Sequence, residues 1–260
     1  MRYALGLEYE GSHYHGWQEQ NHGLATIQAQ LQLAVAKVAN HPVKVICAGR
    51  TDAGVHASGQ VIHFDSTALR SERAWMFGIN SHLPRDIRVN WVVPVGKDFH
   101  ARFSAIAREY RYVIYNYKLR PVLGRQLMTW HFPPLNVALM EEALVYFIGT
   151  HDFSALRAKG CQAKSPIRTI EYLNLDIQQQ TIVLNIKANA FLQHMVRNIV
   201  GMLMAIGAGK YPPVWVKQVL ESGKRSLAGI TAPPMGLTLT RVYYPMVWQI
   251  PLPNDGLAER

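Results

Sequence analysis

The sequence predicts an α+β fold built on antiparallel sheet, and three observations predict it. Each half of the 260-residue chain reads strand, helix, strands, helix, strand, without the self-similarity that would mark a true repeat. The strands are spaced like hairpins with short polar turns, which pairs neighbours antiparallel and leaves helices on one face. Hydrophobic residues make up 49% of the chain and charged residues 17%, a globular composition with ample apolar surface for a core.

In the first half, Tyr3, Leu5, Leu7 and Tyr9 alternate with less apolar neighbours and read as a half-buried strand. A loop from Gly11 to Gly23 follows. Thr26 then caps a helix whose apolar stripe is Ile27, Leu31, Ala34, Val35 and Val38, and His41-Pro42 ends it. Val43 to Cys47 and Val61 to Phe64 are two strands that flank a glycine-rich loop. Ser71 caps a second helix carrying Ala74, Trp75 and Phe77, and Ile87 to Val95 is a strand bounded by prolines and Gly96. The domain boundary is expected in the segment 96–104, giving domains 1–100 and 101–260.

In the second half, the basic and tyrosine-rich stretch between Arg102 and Arg125 reads as a strand, and Asn136 opens a helix expected to reach Ile148 with Gly149 as its terminator. Pro166 to Ile177 and Thr181 to Ala190 form a hairpin about Gln178-Gln179-Gln180. Met195 to Ile206 is a strongly apolar helix closed by Gly207 and Gly209. Pro213 starts a shorter helix that ends at Gly223, Thr238 to Tyr243 is the last strand, and a loose tail begins at Pro251.

Charge narrows the function. The net charge is +10 and the isoelectric point about 9.7, which points to a polyanionic partner, nucleic acid first. Between Arg102 and Arg125 lie six basic residues (Arg102, Arg108, Arg111, Lys118, Arg120, Arg125) against one acid, Glu109. Tyr110, Tyr112, Tyr115 and Tyr117 are threaded through them. That pattern suits RNA, since cations neutralise phosphates while rings stack unpaired bases; the alternative is a twisted strand with a snorkelling charged face. Arg157, Lys159, Lys164 and Arg168 form a second acid-free run, expected to reach backbone phosphate. In the first loop His13, His15, Trp17 and His22 have no acidic or cysteine partner for a metal, so that loop is expected to touch RNA or pack on the neighbouring domain.

Two cysteines, Cys47 and Cys161, form neither a disulfide framework nor a zinc motif, which fits a reducing cytoplasm. No apolar run approaches membrane-spanning length, and Met1-Arg2-Tyr3 leads straight into a strand pattern without a signal peptide. There is no metal or nucleotide-cofactor motif, so activity is expected to survive chelators and dialysis.

The candidate site is the loop Cys47-Ala48-Gly49-Arg50-Thr51-Asp52-Ala53-Gly54-Val55-His56-Ala57-Ser58-Gly59-Gln60. Its glycines permit a sharp path and close approach of a ligand, and it holds one carboxylate, Asp52, two residues after Arg50. From spacing alone, a local salt bridge with an Asx-turn is the simpler reading. The segment Gly49-Arg50-Thr51-Asp52-Ala53-Gly54-Val55-His56, however, resembles the active-site motif of the TruA-type tRNA pseudouridine synthases. Four other stretches, in the right order, are similar to that family: Tyr9-Glu10-Gly11 through Gln18, Phe99-His100-Ala101-Arg102 with Arg108-Glu109-Tyr110-Arg111-Tyr112, Asn189 through Asn198, and Pro234-Met235-Gly236-Leu237. One departure is Glu109, where many relatives carry a basic or neutral residue. It weakens local positive potential and leaves Tyr110 in place.

The resemblance implies a pseudouridine synthase fold of two adjoining sheets with Asp52 in a basic cleft between the halves, a homodimer, and no cofactor. It implies that the chain isomerises uridine to pseudouridine in the anticodon stem-loop of tRNA, at uridines 38, 39 and 40. Asp52 would be the catalytic aspartate and Tyr110 would stack on a flipped-out uracil. Arg197 would pair with Asp52, and that contact favours the ionised carboxylate. Arg50 would fill the place of the flipped nucleotide or hold a phosphate, unless it only stabilises its loop. Two rivals fit part of the sequence. An RNA-binding or RNA-folding protein without catalysis explains the charge and the aromatics; a uracil-releasing hydrolase explains Asp52 but not the charge of +10.

Overall fold

The computed structural model describes residues 1–20 and 23–252; His22 and the tail from residue 253 onward lie outside the described residues. The chain forms two compact units, one of residues 1–106 with the segment from Thr238 onward, the other of Ala107–Leu237. The sequence reading divided the chain at 100/101 and gave everything after it to the second domain. The last strand instead returns to the first unit. A seven-residue strand cannot bury its apolar face alone, so a sheet edge elsewhere decides where it belongs.

The first unit contains β1 (Arg2–Tyr9), α1 (Ile27–Ala39), β2 (Val45–Cys47), β3 (His56–Asp65), α2 (Glu72–His82) and β4 (Ile87–Val95), and it receives the last strand (Leu237–Tyr243). The strand order is β4, β1, β3 and the last strand, with β2 also on β3. Pairing is antiparallel except between the last strand and β3, where Thr238 lies opposite His56 and Leu239 opposite Ala57. Both predicted caps are made: Thr26 Oγ1 accepts from the Ala29 N–H at 3.4 Å, and Ser71 Oγ from the Ala74 N–H at 3.2 Å. Tyr3, Phe64 and Trp75 fix the core, with the Tyr3 and Phe64 rings stacked at 5.4 Å and Trp75 edge-on to Phe64 at 5.2 Å.

The second unit contains β5 (Ala107–Asn116), β6 (Thr129–His131), α3 (Val137–Leu144), β7 (Gly149–Asp152), β8 (Ile167–Gln178), β9 (Thr181–Ala188), α4 (Met195–Gly207) and α5 (Trp215–Ser222). The last strand of the chain is therefore β10. The order here is β5, β9, β8, β7, antiparallel throughout, with β6 added parallel to β5. So the α+β class holds, and each unit's sheet carries one parallel pair in an antiparallel frame. The helix from Asn136 is shorter than expected: it stops at Leu144, and Gly149, at φ +96°, opens β7 rather than capping a helix. Asn136 does cap it, accepting from the Leu139 N–H.

Candidate active site

The loop bearing Asp52 is shorter and stiffer than its glycine content suggests. β3 begins at His56, five residues before the Val61 start read from the apolar run, because Ala57 and Gly59 are buried in the sheet. What remains is residues 48–55, a turn in which the Val55 N–H donates to the Asp52 carbonyl at 3.1 Å and Gly54 takes φ +77°. Asp52 sits half-buried at its head and Arg50 is exposed at its shoulder.

Two layers hold this turn. The segment after β1 lies along one side: the Trp17 N–H donates to the Thr51 carbonyl at 3.0 Å, the Gly54 N–H to the Tyr14 carbonyl at 3.3 Å, and the Gly11 N–H to His56 Nδ1 at 3.0 Å. The approach is close enough that a Cβ on Gly11 would stand 2.0 Å from the Val55 carbonyl oxygen, and one on Gly16 2.7 Å from that of Thr51. Beneath the turn, Gln60 is fully buried and donates to the Gly49 carbonyl at 2.7 Å, while the Tyr9 hydroxyl meets Thr51 Oγ1 at 2.8 Å. The loop expected to touch RNA or pack on the neighbouring domain therefore packs on the Asp52 turn of its own unit. Trp17 is buried against Tyr9, and His13 and His15 point into solvent. His56 and Gln60, inside the candidate loop, and Tyr9, ahead of it, are supports that sequence reasoning missed. A polar residue on an apolar strand was the available signal for Gln60.

On the second unit, Tyr110 lies on β5 opposite Ile186 and is 8% exposed, with the Phe191 ring edge-on at 5.0 Å. Arg197 is in the first turn of α4, behind His194, which takes φ 64° at the N-cap. Its Nε donates to the Ala232 carbonyl at 2.8 Å, and the Ala232 N–H returns a bond to the Arg197 carbonyl at 3.0 Å. The segment 230–236 is drawn onto α4 and β5 in this way. The buried Asn198 accepts from Arg225 and from Thr231 Oγ1, and the Tyr112 hydroxyl donates to the Pro233 carbonyl at 2.8 Å. Burial pushes the Tyr112 phenol up to about 12, which keeps it a neutral donor, and the nearby Arg197 charge acts in the opposite direction. This anchoring of the Arg197 turn was not visible in the sequence. Arg50 and Asp52 thus share one turn of the first unit, and Tyr110 and Arg197 stand on β5 and the start of α4 in the second.

The basic runs divide by use. Arg157 donates to the carbonyls of Cys161 and Ala163 at 2.6 and 2.9 Å, and Arg168 to those of Ser165 and Ile167. These two guanidiniums fold their own loop, which leaves Lys159 and Lys164 exposed on it. Arg108 is buried and donates to the Asn189 carbonyl at 3.0 Å, whereas Arg111, Lys118, Arg120 and Arg125 are exposed. Glu109 accepts from the Tyr172 hydroxyl across the sheet. Among the described residues no group of three or more His, Cys, Asp or Glu could hold a metal ion, and no helix is long and apolar enough to cross a membrane.

The chain is similar to known proteins over most of its length. The profile of the tRNA pseudouridine synthase family matches residues 7–104 and 143–245, stretches that include Arg50, Asp52 and Arg197. Proteins named tRNA pseudouridine synthase A are similar over most of the chain. That of Alcanivorax borkumensis is 55% identical, covering 96% of this chain and 94% of its own. That of Nitrosococcus oceani is 53% identical, covering 96% of each, and that of Pseudomonas aeruginosa 52%, covering 96% of this chain and 88% of its own. A likeness so deep and so nearly end to end leaves one assignment: the chain belongs to the tRNA pseudouridine synthase family.

Proposed function

We propose that this protein isomerises uridine to pseudouridine in tRNA, at uridines 38, 39 and 40 of the anticodon stem-loop, with Asp52 as the catalytic carboxylate. The observation that carries the reading is the Asp52 turn itself: a single carboxylate on a turn whose backbone is held from two sides by hydrogen bonds, in a chain of this family. Rigidity of that kind is what a group acting on one sugar carbon requires.

The reaction breaks the N1–C1′ bond, turns the uracil over, joins C5 to C1′ and moves the C5 proton away while N1 gains one. As the bond breaks, C1′ becomes electron-poor, and a fixed carboxylate stabilises it or bonds to it. Uracil stays bound, so no second carboxylate is needed to expel it. A stacked uridine is out of reach, and the target nucleotide is flipped out. Tyr110 stacks on the flipped base; its edge contact with Phe191 already sets the plane of the ring. Arg197 supplies positive charge from the first turn of α4, where the helix dipole adds to it. Arg50, exposed beside Asp52, meets the RNA. The enzyme works as a homodimer in the cytoplasm, a compartment in which the free Cys47 and Cys161 stay reduced.

Asp52→Asn tests the assignment. Incubated with unmodified tRNA, the wild type should yield pseudouridine and no free uracil. The variant should yield neither, while binding tRNA within about tenfold of the wild type, because phosphate contacts dominate affinity. Release of uracil by the wild type would make it a hydrolase, and tRNA binding without any product would make it a binding protein. Turnover by Asp52→Asn would remove the residue from the chemistry.

A further inference from the structure

The second unit carries a concave surface of about 600 Å³, lined by Tyr115, Val122, Leu123, Met128, Gln178 and Gln180 among others. It lies wholly within that unit, on β5, the segment leading to β6, and the turn between β8 and β9. The geometry points to a binding site for an unpaired nucleotide of RNA, separate from the Asp52 turn.

The groove has the parts such a ligand needs. Sites of about 300–1,000 Å³ hold small molecules, so the space suffices for a base and its sugar. Its lining combines the aromatic Tyr115 with the aliphatic Val122 and Leu123 and the Met128 thioether, and any base can lie against an aromatic or an apolar face. The glutamines add amides, which can donate to or accept from a base edge that is not already paired.

Backbone bonds hold the Tyr115 and glutamine side of the groove and the chain after Gly124. Tyr115 stands opposite Thr181 in the β5–β9 ladder, and the next residue, Asn116, donates its N–H to the Gln180 carbonyl at 2.8 Å. Thr181 Oγ1 donates to the Gln178 carbonyl at 2.7 Å, and Gln179 takes φ 54°, so the turn is tight. On the other side the Leu127 N–H donates to the Gly124 carbonyl at 2.8 Å, and Trp130 Nε1 donates to the Tyr117 carbonyl at 2.9 Å.

Charge decides the occupant. Val122 and Leu123 are 74% and 89% exposed, an apolar lip that needs an explanation. Lys118, Arg120 and Arg125, all exposed, flank it in the sequence, which holds no acid between Glu109 and Glu141. A second copy seated here would bring a chain of net charge +10 against these cations. A polyanion with flat apolar bases meets both features at once. The proposal rests on the reading above only in taking that polyanion to be RNA.

The test is binding, which needs no turnover. Wild type, Val122→Asp/Leu123→Asp and Tyr115→Ala are titrated with a short labelled single-stranded RNA and with a duplex RNA of equal length, alongside melting temperature and sedimentation. The expected result is a loss of at least fivefold for the single strand, a much smaller loss for the duplex, and unchanged melting and mass; Tyr115→Phe, which keeps the ring, should bind nearly as the wild type does. Unchanged single-strand affinity overturns the proposal, as does an equal loss for duplex, which would reduce the groove to a charge effect. A fall in mass in the variants overturns it too, by making the groove an interface between copies. Should the wild type make no pseudouridine while these variants still lose single-stranded RNA, the activity fails and the groove stands.

Discussion

Gln60, itself fully buried, donates through Nε2 to the Gly49 carbonyl at 2.7 Å, and this one bond joins the middle of β3 to the shoulder of the Asp52 turn. The same nitrogen lies 3.5 Å from the Tyr9 hydroxyl, which in turn meets Thr51, so a strand amide and a strand phenol brace the turn from below. Gln60→Leu keeps the bulk and removes the donor. Losing a part-buried hydrogen bond costs about 0.5–1.5 kcal/mol, so the melting temperature should fall. The expected signature in kinetics is a drop in the single-turnover rate larger than any drop in tRNA affinity, because the substitution loosens Asp52 without touching a phosphate contact. Equal losses in rate and affinity would make Gln60 a plain core residue.

The pH dependence of stability isolates a second buried group of the first unit. His63 is 2% exposed, and burial first, then the His100 and Arg2 charges, pulls its imidazole down to about 4. Its Nδ1 accepts the Ala101 N–H at 3.1 Å, a bond available only while that nitrogen is unprotonated. The unfolded chain therefore binds a proton near pH 6.5 that the folded chain refuses until about pH 4, and stability falls as pH drops through that window. His63→Asn offers an acceptor oxygen without a titration. Melting curves from pH 7 to 4 should show the wild type losing on the order of 2 kcal/mol relative to the variant. Asp65, held below the usual carboxylate range by its bonds to Arg2, contributes only at lower pH and does not confound the window. Parallel curves for the two proteins would show that His63 does not resist protonation.

Much of this architecture was legible because it is local. Thr26, Ser71 and Asn136 cap the helices they precede, and the hairpin about Gln178-Gln179-Gln180 closes as the alternation required. The motif placed Asp52 on a turn. What the sequence hid depends on partners far along the chain. β10 pairs with β3 across some 180 residues, and β6, three residues long, is a strand only because β5 lies beside it. The Arg157 and Lys159 side chains read alike as cations, and only the carbonyls of Cys161 and Ala163 separate a loop staple from a free charge.

That separation makes a prediction. Lys159→Gln/Lys164→Gln should weaken tRNA binding and lower its salt dependence by about two units of slope at most, with melting temperature unchanged. Arg157→Gln removes two bonds to loop carbonyls, so it should lower melting temperature and protect the loop less from proteolysis. Titrations at several salt concentrations, with thermal melts alongside, distinguish them. If the lysine pair leaves binding and slope untouched, the loop is a solvated surface rather than a phosphate contact.

Tyr110 allows stacking and proton chemistry to be taken apart. Its ring is 8% exposed and edge-on to Phe191, so it already has a packing role whatever else it does. Tyr110→Phe keeps the ring and the Phe191 contact and loses only the hydroxyl. If that hydroxyl serves removal of the C5 proton, this variant should bind tRNA nearly normally and melt like the wild type, yet turn over far more slowly. Tyr110→Ala should lose stacking worth about 1–3 kcal/mol as well, and with it both affinity and rate. Phe191→Leu supplies the control, since it removes the edge contact and leaves the Tyr110 ring and hydroxyl in place; it should lower melting temperature more than it lowers rate. Single-turnover rates, tRNA affinity and melts on the three variants decide the question. A fully active Tyr110→Phe enzyme ends the proton-transfer role, and a Tyr110→Ala enzyme that only melts earlier ends the stacking role too.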